Sequence, residues 1–527
     1  MKRHDKAGFK SFMYYTFISN AISAVASLLV LVFGLKYFVE VIRYLSVCMM
    51  VMTFFVTTCI LIPLSKGRLK FLYKGSGLFQ HFICPVLSVV TYVFFENRVP
   101  TYWAWLPVVV TLAYGVTMVL INNAGKVDGP YPFFQIKKYG TKKIVLWMTL
   151  LMIVTTAFAA GVGYNMPKKS DIKFVFVHGL SGWGSYSRVN DIIPYWGLTG
   201  GSVIRYLNNE GYESYAASVN PSTSAWDRAC ELYAQLTGTV VDYGKAHSDR
   251  CNHPRYGEDF TGRALLKDFN DSRVVLLGHS FGGVTVRLFS EILKNGDEVE
   301  RNATDAGNLS PFFAGGHGDN LFAVVTLSAP TNGTTAYDMY EDPTFDASKI
   351  SIPEEYNKYG NYVSKGTKAK EDGRISEDYA SFDMHIDNAL ELNKRITTFD
   401  DVYYFAVPCS SSIKDSSGNV TPDESITELI FLRGATIMSK YTGATAKGFI
   451  LDESWQENDG LVNTISAGAP FGAPSADYSE SGEKEKGIWY VFPVFRGDHM
   501  SLQGGLTKRI DIKPFYMDLV KMLSGLK

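Results

Sequence analysis

The chain has 527 residues, a formal net charge of −1 and 46% hydrophobic residues. The near-neutral charge argues against nucleic acid as a partner, and the apolar content excludes an intrinsically disordered chain. Apolar residues are concentrated in the first third, whereas charged, Gly, Asn and Asp residues become frequent from about Lys168. We therefore predict two domains, residues 1–165 and residues 166–527.

Five apolar stretches fill the first domain. Each approaches or exceeds the roughly 20 residues that a helix needs to cross a bilayer, and they cover residues 12–34, 46–64, 77–95, 103–121 and 143–163. One such stretch alone would suggest a buried core helix. Five in succession, joined by short polar loops, favour a bundle of transmembrane helices.

The basic residues of this domain predict its orientation. They cluster before the first stretch, between the second and third, and before the fifth, as Lys2, Arg3, Lys6, Lys10, Lys66, Arg68, Lys70, Lys74, Lys126, Lys137, Lys138, Lys142 and Lys143. The alternate loops hold only Lys36, Arg43 and Arg98. Cytoplasmic loops are rich in Lys and Arg. Because the first basic cluster precedes the first apolar stretch, we expect a cytoplasmic N-terminus. Five spans then place the second domain outside the cell membrane.

The second domain changes pattern at Lys173, where short apolar runs alternate with helical stretches. KFVFV, VVLL, LFAVVTLSAP, VYYFAVP and GIWYVFPVF are typical of buried strands, and SVIRYLNNEG and VTVRLFSEILKNG of helices. Strands without polar alternation indicate a mostly parallel sheet with helices on both faces. Residues 337–378 are polar with little periodicity, and we interpret them as an inserted cap.

One strand-to-helix junction, VVLLGHSFGGVTVRLF at residues 274–289, carries a G-x-S-x-G motif. Such a turn lifts the hydroxyl of Ser280 clear of the backbone, and Gly278 and Gly282 leave room for it. The amide of Phe281 at the helix N-terminus can stabilise an oxyanion. An ordinary glycine-rich turn is the alternative, but the position between a strand and a helix favours a nucleophile.

A serine nucleophile needs a histidine base that is oriented by a carboxylate. His499 in FRGDHMSL is the last histidine of the chain and follows a predicted strand. Asp459 in an Asn-Asp-Gly turn precedes it, in the order Ser, Asp, His of this architecture, although Asp452 and Asp498 compete for the role. In VHGLSGWG, after the first predicted strand, the N–H of Leu180 is a candidate second oxyanion donor.

A second group of candidate ligands lies between residues 225 and 257. Asp227, His247 and His253 are suitable zinc ligands if a fourth group completes a tetrahedron. By themselves these residues are more typical of solvated loop histidines than of a metal site.

Motifs along most of residues 172–505 resemble the secreted lipases of thermophilic bacilli and staphylococci, which have the α/β-hydrolase fold. The matching segments include VHGLSGWG, AWDRACELYAQLTGTVVDYGKAHSDRCNHPRYG, GHSFGGVTVRLF, WQENDGLVNT and GDHMSL. The resemblance implies a catalytic triad of Ser280, Asp459 and His499 and an oxyanion hole formed by Leu180 and Phe281. It also implies a structural zinc held by Asp227, His247, His253 and Asp383.

The sequence departs from this family at two places. Ser501 stands where the family has an acidic calcium ligand, and QGGLTKRID lacks the Asp-Pro that follows, which argues against calcium. The family's apolar lid helix is replaced by a short polar region around IPEEYNKYGNYVSKGTKAKEDGRISEDY. A polar cover argues against insoluble long-chain triglycerides as substrates.

The first domain resembles a different family, through QHFICPVLSVV and DGPYPFFQI. These are small multi-spanning membrane proteins whose animal relatives hydrolyse fatty-acid esters with a threonine and a histidine. His81 matches that histidine, and the sequence does not place the threonine. An ionisable residue at this depth is a candidate functional group, but the sequence favours a structural hydrogen bond as the role of His81.

Together these features predict a membrane-anchored, outward-facing serine carboxylester hydrolase that acts on an ester or lipid through an acyl-enzyme. An acyltransferase with the same triad is one alternative. The other is a non-catalytic ligand-binding domain of a membrane sensor or transporter, which would have no need of Ser280, Asp459 and His499 together.

Overall fold

A computed structural model describes residues 14–33, 37–64, 70–96, 99, 101–125, 131, 134–163, 168–266, 268–359 and 376–527. The chain forms two compact units, Met1–Pro167 and Lys168–Lys527. The boundary between them lies two residues beyond the one expected at residue 165.

The N-terminal unit contains five helices that are long and apolar enough to cross a membrane, by length and composition. They are α1 (Tyr15–Phe33), α2 (Phe38–Leu61), α3 (Ser76–Phe95), α4 (Thr101–Asn123) and α5 (Thr141–Val162). Two of them contain a π-helical turn, at Val56–Leu61 and Phe79–Ile83. A short helix, Ile136–Tyr139, precedes α5.

The helix that contains α2 begins at Tyr37 and not at residue 46 as predicted, so Arg43 lies in a helix and the assignment of this residue to a loop is wrong. The charge is tolerated there because Arg43 Nε lies 3.0 Å from both carboxylate oxygens of Glu96, at the end of α3. A guanidinium N–H also donates to Ser88 Oγ at 2.9 Å. A hydropathy pattern cannot register such a pair, because each charge is neutralised by a residue distant in sequence.

The C-terminal unit is built on a parallel sheet of seven strands within the described residues. The strands are β1 (Lys173–Val177), β2 (Ser214–Ala217), β3 (Val274–His279), β4 (Leu321–Leu327), β5 (Tyr403–Val407), β6 (Ser475–Asp477) and β7 (Trp489–Val491). Their spatial order is β6-β7-β5-β4-β3-β1-β2, and each neighbouring pair is parallel. The predicted parallel sheet is confirmed.

Helices cover both faces of this sheet. Val175 and Val177 of β1 pack into one core, together with helices α7 (Ala225–Thr237) and α8 (Phe281–Asn295). Phe174 and Phe176 point to the opposite core, with helices α6 (Val203–Asn209) and α11 (Lys513–Ser524). Alternate side chains of an unbroken apolar strand thus fill two cores, which explains why KFVFV lacks polar positions.

The remaining elements surround the sheet. Further helices are α9 (Ile386–Arg395), α10 (Leu429–Met438) and the short Arg188–Ile192, Lys245–Cys251, Glu298–Ala303, Pro311–Ala314, Thr335–Asp338 and Ala380–Met384. Short strand pairs join Val240–Asp242 to Tyr256–Asp259, Ser412–Lys414 to Val420–Pro422, Gly443–Ala444 to Ile450–Leu451, and Cys409–Ser410 to Phe495–Arg496. The predicted insertion at 337–378 falls partly on residues 360–375, outside the described residues, and its described part holds the 3₁₀ turns Ala347–Lys349, Glu354–Tyr359 and Ser376–Asp378.

Backbone atoms are closely packed around the turn between β3 and α8. Ser280 at its apex has a φ of +54°, a left-handed conformation that is unusual for a residue with a side chain. A Cβ on Gly278 would lie 2.3 Å from Gly282 O, and one on Gly282 would lie 2.2 Å from Val177 O. Only glycine fits at both positions, as the motif predicts.

We expect Gly282→Ala to destabilise the protein, because its new methyl group would press on the carbonyl oxygens of Val177 and His178, which cannot move without displacing β1. The cost should be about 2–3 kcal/mol. Thermal unfolding of the detergent-purified full chain measures it. Gly307→Ala is the matched control, since a Cβ there meets no atom within 4 Å. Equal midpoints for the two variants would contradict the steric argument.

Candidate active site

Three predicted side chains meet beyond the carboxyl ends of the strands. Ser280 follows β3, and its Oγ lies 2.8 Å from His499 Nε2. His499 Nδ1 lies 2.7 Å from Asp459 Oδ2. All three residues are buried. This hydrogen-bonded chain has the geometry of a nucleophile, a base and an orienting carboxylate.

The environment of Asp459 fixes the role of each partner. Asp459 Oδ1 accepts the N–H groups of Leu461 at 3.0 Å and Val462 at 2.7 Å, and Oδ2 accepts the hydroxyl of Ser328. A carboxylate surrounded by donors acts as an acceptor towards His499 as well, so the proton of the imidazole sits on Nδ1. His499 Nε2 is then left to accept the proton of Ser280.

The two competing carboxylates are engaged elsewhere. Asp452 is exposed and accepts the N–H of Ser454 at 3.0 Å in a local turn. Asp498 accepts the N–H of Glu428 at 2.7 Å and the hydroxyl of Ser501 at 2.9 Å. Burial raises the pKa of Asp498 to about 6. Ser501 stands where the resemblance would place a calcium ligand. Its hydroxyl instead holds the carboxylate of Asp498.

A neutral histidine joins the turn of Ser280 to the loop of His499. His279 Nε2 donates to His499 O at 3.0 Å, and the hydroxyl of Tyr195 lies 2.8 Å from His279 Nδ1. Gln503 Nε2 lies 2.9 Å from the same Nδ1. Burial and the nearby charge of His499 hold the pKa of His279 well below its ordinary value. The side chain of His279 points away from the nucleophile and serves as a brace.

The two candidate oxyanion donors flank Ser280. Phe281 is the first residue of α8. Leu180 follows Gly179, where a Cβ would lie only 2.7 Å from Ser280 Cβ, so this loop runs directly against the nucleophile. Ser181, next in the chain, has a φ of +57°. The backbone of both segments is thus held close to the site that a reacting carbonyl would occupy.

Ser280 and His499 open onto a cleft of about 410 Å3. Its walls are mainly apolar, formed among others by Leu180, Trp183, Ile193, Leu198, Tyr337, Met384, Ile430, Phe431, Leu461, Val462, Met500 and Leu506. Apolar walls around a few polar groups are typical of a site for an organic ligand.

The C-terminal unit matches the family model described as "Lipase-like, C-terminal domain" over residues 170–351 and 349–524. The chain belongs to this lipase-like family.

Relatives and solved structures agree with the assignment. Lipase 2 of Staphylococcus aureus is 31% identical over 386 residues, which are 67% of this chain and 53% of that protein. EstA of Clostridium botulinum is similar in structure, with a TM-score of 0.57 and 29% identity over 69% of this chain and 89% of that one. The Staphylococcus hyicus lipase gives a TM-score of 0.57 and 27% identity over 68% and 97%. The chain spans about half the length of the curated relatives that it matches.

The lipase-like unit also contains a group of metal-ligating side chains. One ligand atom from each of Asp227, His247, His253 and Asp378 lies within 4.8 Å of the others. His253 Nδ1 donates to Pro254 O at 2.9 Å, which leaves its Nε2 as an acceptor. That buried Nε2 has no hydrogen-bond partner among the described residues and faces Asp227 and Asp378 at 3.6 and 3.7 Å.

The prediction of Asp383 as the fourth member of this group is wrong, because Asp378 occupies that place. Asp383 Oδ2 instead accepts the N–H of Ala225 at 2.7 Å, at the start of α7. Burial raises the pKa of Asp383 to about 7. Asp378 is brought in by its backbone, since Ser224 N donates to Asp378 O at 3.0 Å. Two acids five residues apart cannot be told apart by a sequence pattern.

Three supporting residues were not singled out from the sequence. Tyr195 and Gln503 meet at His279, with Gln503 Nε2 2.7 Å from the hydroxyl of Tyr195. Ser328 directly follows β4 and has a φ of +46°. A serine at the carboxyl end of a central strand, next to the nucleophile's strand, is a signal that could have identified Ser328.

In the N-terminal unit, Thr16 lies next to His81. His81 lies in the π-helical turn of α3, and its Nε2 is 3.4 Å from Thr16 Oγ1 in α1. Its Nδ1 lies 2.9 Å from Gly77 O and therefore carries the proton. Thr16 also lines an apolar cavity among α1, α2, α4 and α5.

Proposed function

We propose that the protein is a serine carboxylester hydrolase of the lipase or esterase type. The observation that carries the proposal is the hydrogen-bonded chain from Ser280 through His499 to Asp459 at the base of an apolar cleft, in a unit of the lipase-like family. A binding protein has no need of a buried serine in this strained conformation.

In this mechanism, Ser280 Oγ attacks the ester carbonyl while His499 Nε2 takes its proton. Asp459 stabilises the resulting imidazolium. The N–H groups of Leu180 and Phe281 stabilise the oxyanion of the tetrahedral intermediate. His499 returns the proton to the leaving alcohol, and water then attacks the acyl-enzyme with the same histidine as base.

The cleft supports an acyl ester or a lipid as the substrate class. Its apolar walls would take up a hydrocarbon chain at a gain of about 0.8 kcal/mol for each buried methylene. A volume of about 410 Å3 lies within the range of sites for small organic ligands.

The five apolar helices support an anchor in the cell membrane. The lysine and arginine residues of alternate loops support a cytoplasmic N-terminus, which after five spans leaves the lipase-like unit outside. An anchored hydrolase would act on lipids or esters close to that surface.

We expect Ser280→Ala to lower kcat for hydrolysis of p-nitrophenyl esters by at least about 1,000-fold, because the substitution removes the hydroxyl that His499 activates. The full chain is assayed in detergent with short-acyl and long-acyl esters. Ser290→Ala is the control, since Ser290 is equally buried but donates only to Val286 O within α8.

The other outcomes separate the alternatives. Ser280-dependent transfer of the acyl group to an added alcohol in preference to water would identify an acyltransferase. Absence of any Ser280-dependent turnover would favour the ligand-binding alternative.

We also propose that Asp227, His247, His253 and Asp378 hold a structural zinc ion. Two imidazoles and two carboxylates are suitable zinc ligands, and the buried Nε2 of His253, which has no hydrogen-bond partner among the described residues, faces both carboxylates as a ligand atom would. Four protein ligands leave no open position, so the ion would brace α7 against the segment around Asp378 and take no part in the chemistry.

Asp378→Asn should reduce the zinc content of the purified protein to well below one ion per chain, because an amide is a much weaker ligand than a carboxylate. Asp383→Asn should retain the ion, because an amide oxygen can still accept the N–H of Ala225. Elemental analysis after dialysis against a chelator measures the content. Loss of zinc in Asp383→Asn alone would contradict the assignment.

Thr16 and His81 support a second candidate function, hydrolysis of a lipophilic ester by the N-terminal unit. His81 Nε2 would take the proton of Thr16 Oγ1, while the bond from Nδ1 to Gly77 O fixes the tautomer. A distance of 3.4 Å is within the range that such pairs show without substrate.

We expect Thr16→Val, in a Ser280→Ala background, to abolish any remaining hydrolysis of long-acyl esters. The substitution conserves shape and removes the hydroxyl. Thr117→Val is the control, because Thr117 is exposed and donates only to Ala113 O in α4. Equal residual rates in both variants would assign a structural role to the pair.

A further inference from the structure

We propose that Arg228 is a positioning residue that fixes the peptide unit between Gly179 and Leu180, so that the N–H of Leu180 faces the oxyanion. This inference rests on the proposed hydrolase function. It concerns a buried side chain of α7 that the mechanism above does not use.

Arg228 is a fully buried cation that has no hydrogen-bonded carboxylate among the described residues. Its side chain is 0% exposed, and among the described residues its guanidinium donates only to neutral oxygens. These are Thr285 Oγ1 at 2.9 Å, Asn220 O at 3.1 Å, Gly179 O at 3.4 Å and His178 O. The carboxylates of Glu231 and Asp383 stabilise this charge only through space, so the guanidinium makes its hydrogen bonds to backbone and hydroxyl oxygens of the segments around it.

Arg228 holds the oxygen end of the peptide that carries the candidate donor. Gly179 O also accepts from His178 Nδ1 at 2.8 Å and from Gly182 N at 3.2 Å. In a trans peptide the N–H points away from the carbonyl oxygen. With Gly179 O directed at the guanidinium, the N–H of Leu180 points to the opposite side, where Leu180 and Ser280 line the same cleft.

His178 also holds the carbonyl oxygen of Gly179. Burial and the charge of Arg228 lower the pKa of His178 to about 3, so its ring is neutral. His178 Nδ1 must then carry the ring proton, because Gly179 O can only accept. The two side chains together stabilise one orientation of the peptide, and the positive charge near its oxygen makes the N–H of Leu180 a stronger donor.

The same guanidinium also contacts the segment of the other donor. It lies over the ring of Phe281 at 5.0 Å and bonds to Thr285, one turn further along α8. A single buried group thus touches both segments whose N–H groups would converge on the oxyanion. It can therefore set the distance between the two donors.

The test compares Arg228→Met and Arg228→Lys with Arg287→Met in the full chain. Arg287 is a matched control, because it is also buried, has no hydrogen-bonded carboxylate among the described residues, and burial lowers its pKa to about 10. It donates to Thr331 O at 3.3 Å and Asn393 Oδ1 at 2.7 Å, away from the oxyanion loop.

Two readouts distinguish positioning from stability. We expect Arg228→Met to lower kcat about 30-fold or more with KM changed less than about 2-fold, in keeping with the weakening of one oxyanion donor. An alkylboronic acid, which forms a tetrahedral adduct with a serine hydroxyl, should bind more weakly by a similar factor. Arg228→Lys, which keeps the charge and reaches fewer carbonyls, should fall between, and it carries the test if the methionine variant does not fold.

The proposal would be overturned if Arg228→Met and Arg287→Met lost activity to the same extent and in proportion to their loss of thermal stability. Unchanged boronic acid affinity in a variant with lowered kcat would also overturn it. Absence of Ser280-dependent hydrolysis in the wild type would overturn the proposed function and this inference together, whereas wild-type activity that is insensitive to Arg228 overturns only the inference.

Discussion

The crowded turn at Ser280 constrains the whole C-terminal unit. Gly282 comes so close to the carbonyl oxygen of Val177 that no side chain fits between them, so the carboxyl end of β1 and the start of α8 are fixed against each other. This contact brings the loop of Leu180 beside Ser280, because that loop continues directly from β1. The strained φ of Ser280 is maintained by the parallel sheet on one side and α8 on the other. The site therefore exists only when β1, β3 and α8 are packed together.

Around this turn, the buried polar groups are arranged so that most of them stay neutral. His178 and His279 are buried with lowered pKa values, and each uses its ring to hold a backbone carbonyl, Gly179 O in one case and His499 O in the other. Neutral donors can hold the loops without disturbing the charge that develops on His499 during the proposed reaction. The carboxylate of Asp459 and the guanidinium of Arg228 are charged, and Arg228 lies behind the oxyanion loop. It directly follows Asp227 in α7, so the proposed zinc site and the proposed positioning residue depend on the same helical turn.

The two units stabilise their buried charges in different ways. In the N-terminal unit Arg43 is paired with Glu96 between two apolar helices, as expected where no water can solvate a lone charge. In the lipase-like unit the carboxylate of Glu428 accepts the N–H groups of Leu506, Thr507 and Lys508. The loop that follows His499 is thereby held by the side chain of Glu428. Thr16 and His81, the pair proposed to react in the N-terminal unit, are brought together from α1 and α3.

The sequence by itself determined the elements whose signal is local. An unbroken apolar strand such as KFVFV, the glycine pattern around Ser280 and the five apolar helices follow from periodicity, steric limits and length. The edge strands Ser214–Ala217 and Ser475–Asp477 lack a sequence signal, because the first, although largely buried, has only four residues and the second is exposed along its whole length. Tertiary structure alone placed Asp378 in the ligand group instead of Asp383, extended the helix of α2 to Tyr37 and brought Arg228 to the carbonyl of Gly179. Each of these depends on a partner far away in sequence, since the energy of a buried charge is set by what surrounds it in space and not by its neighbours along the chain.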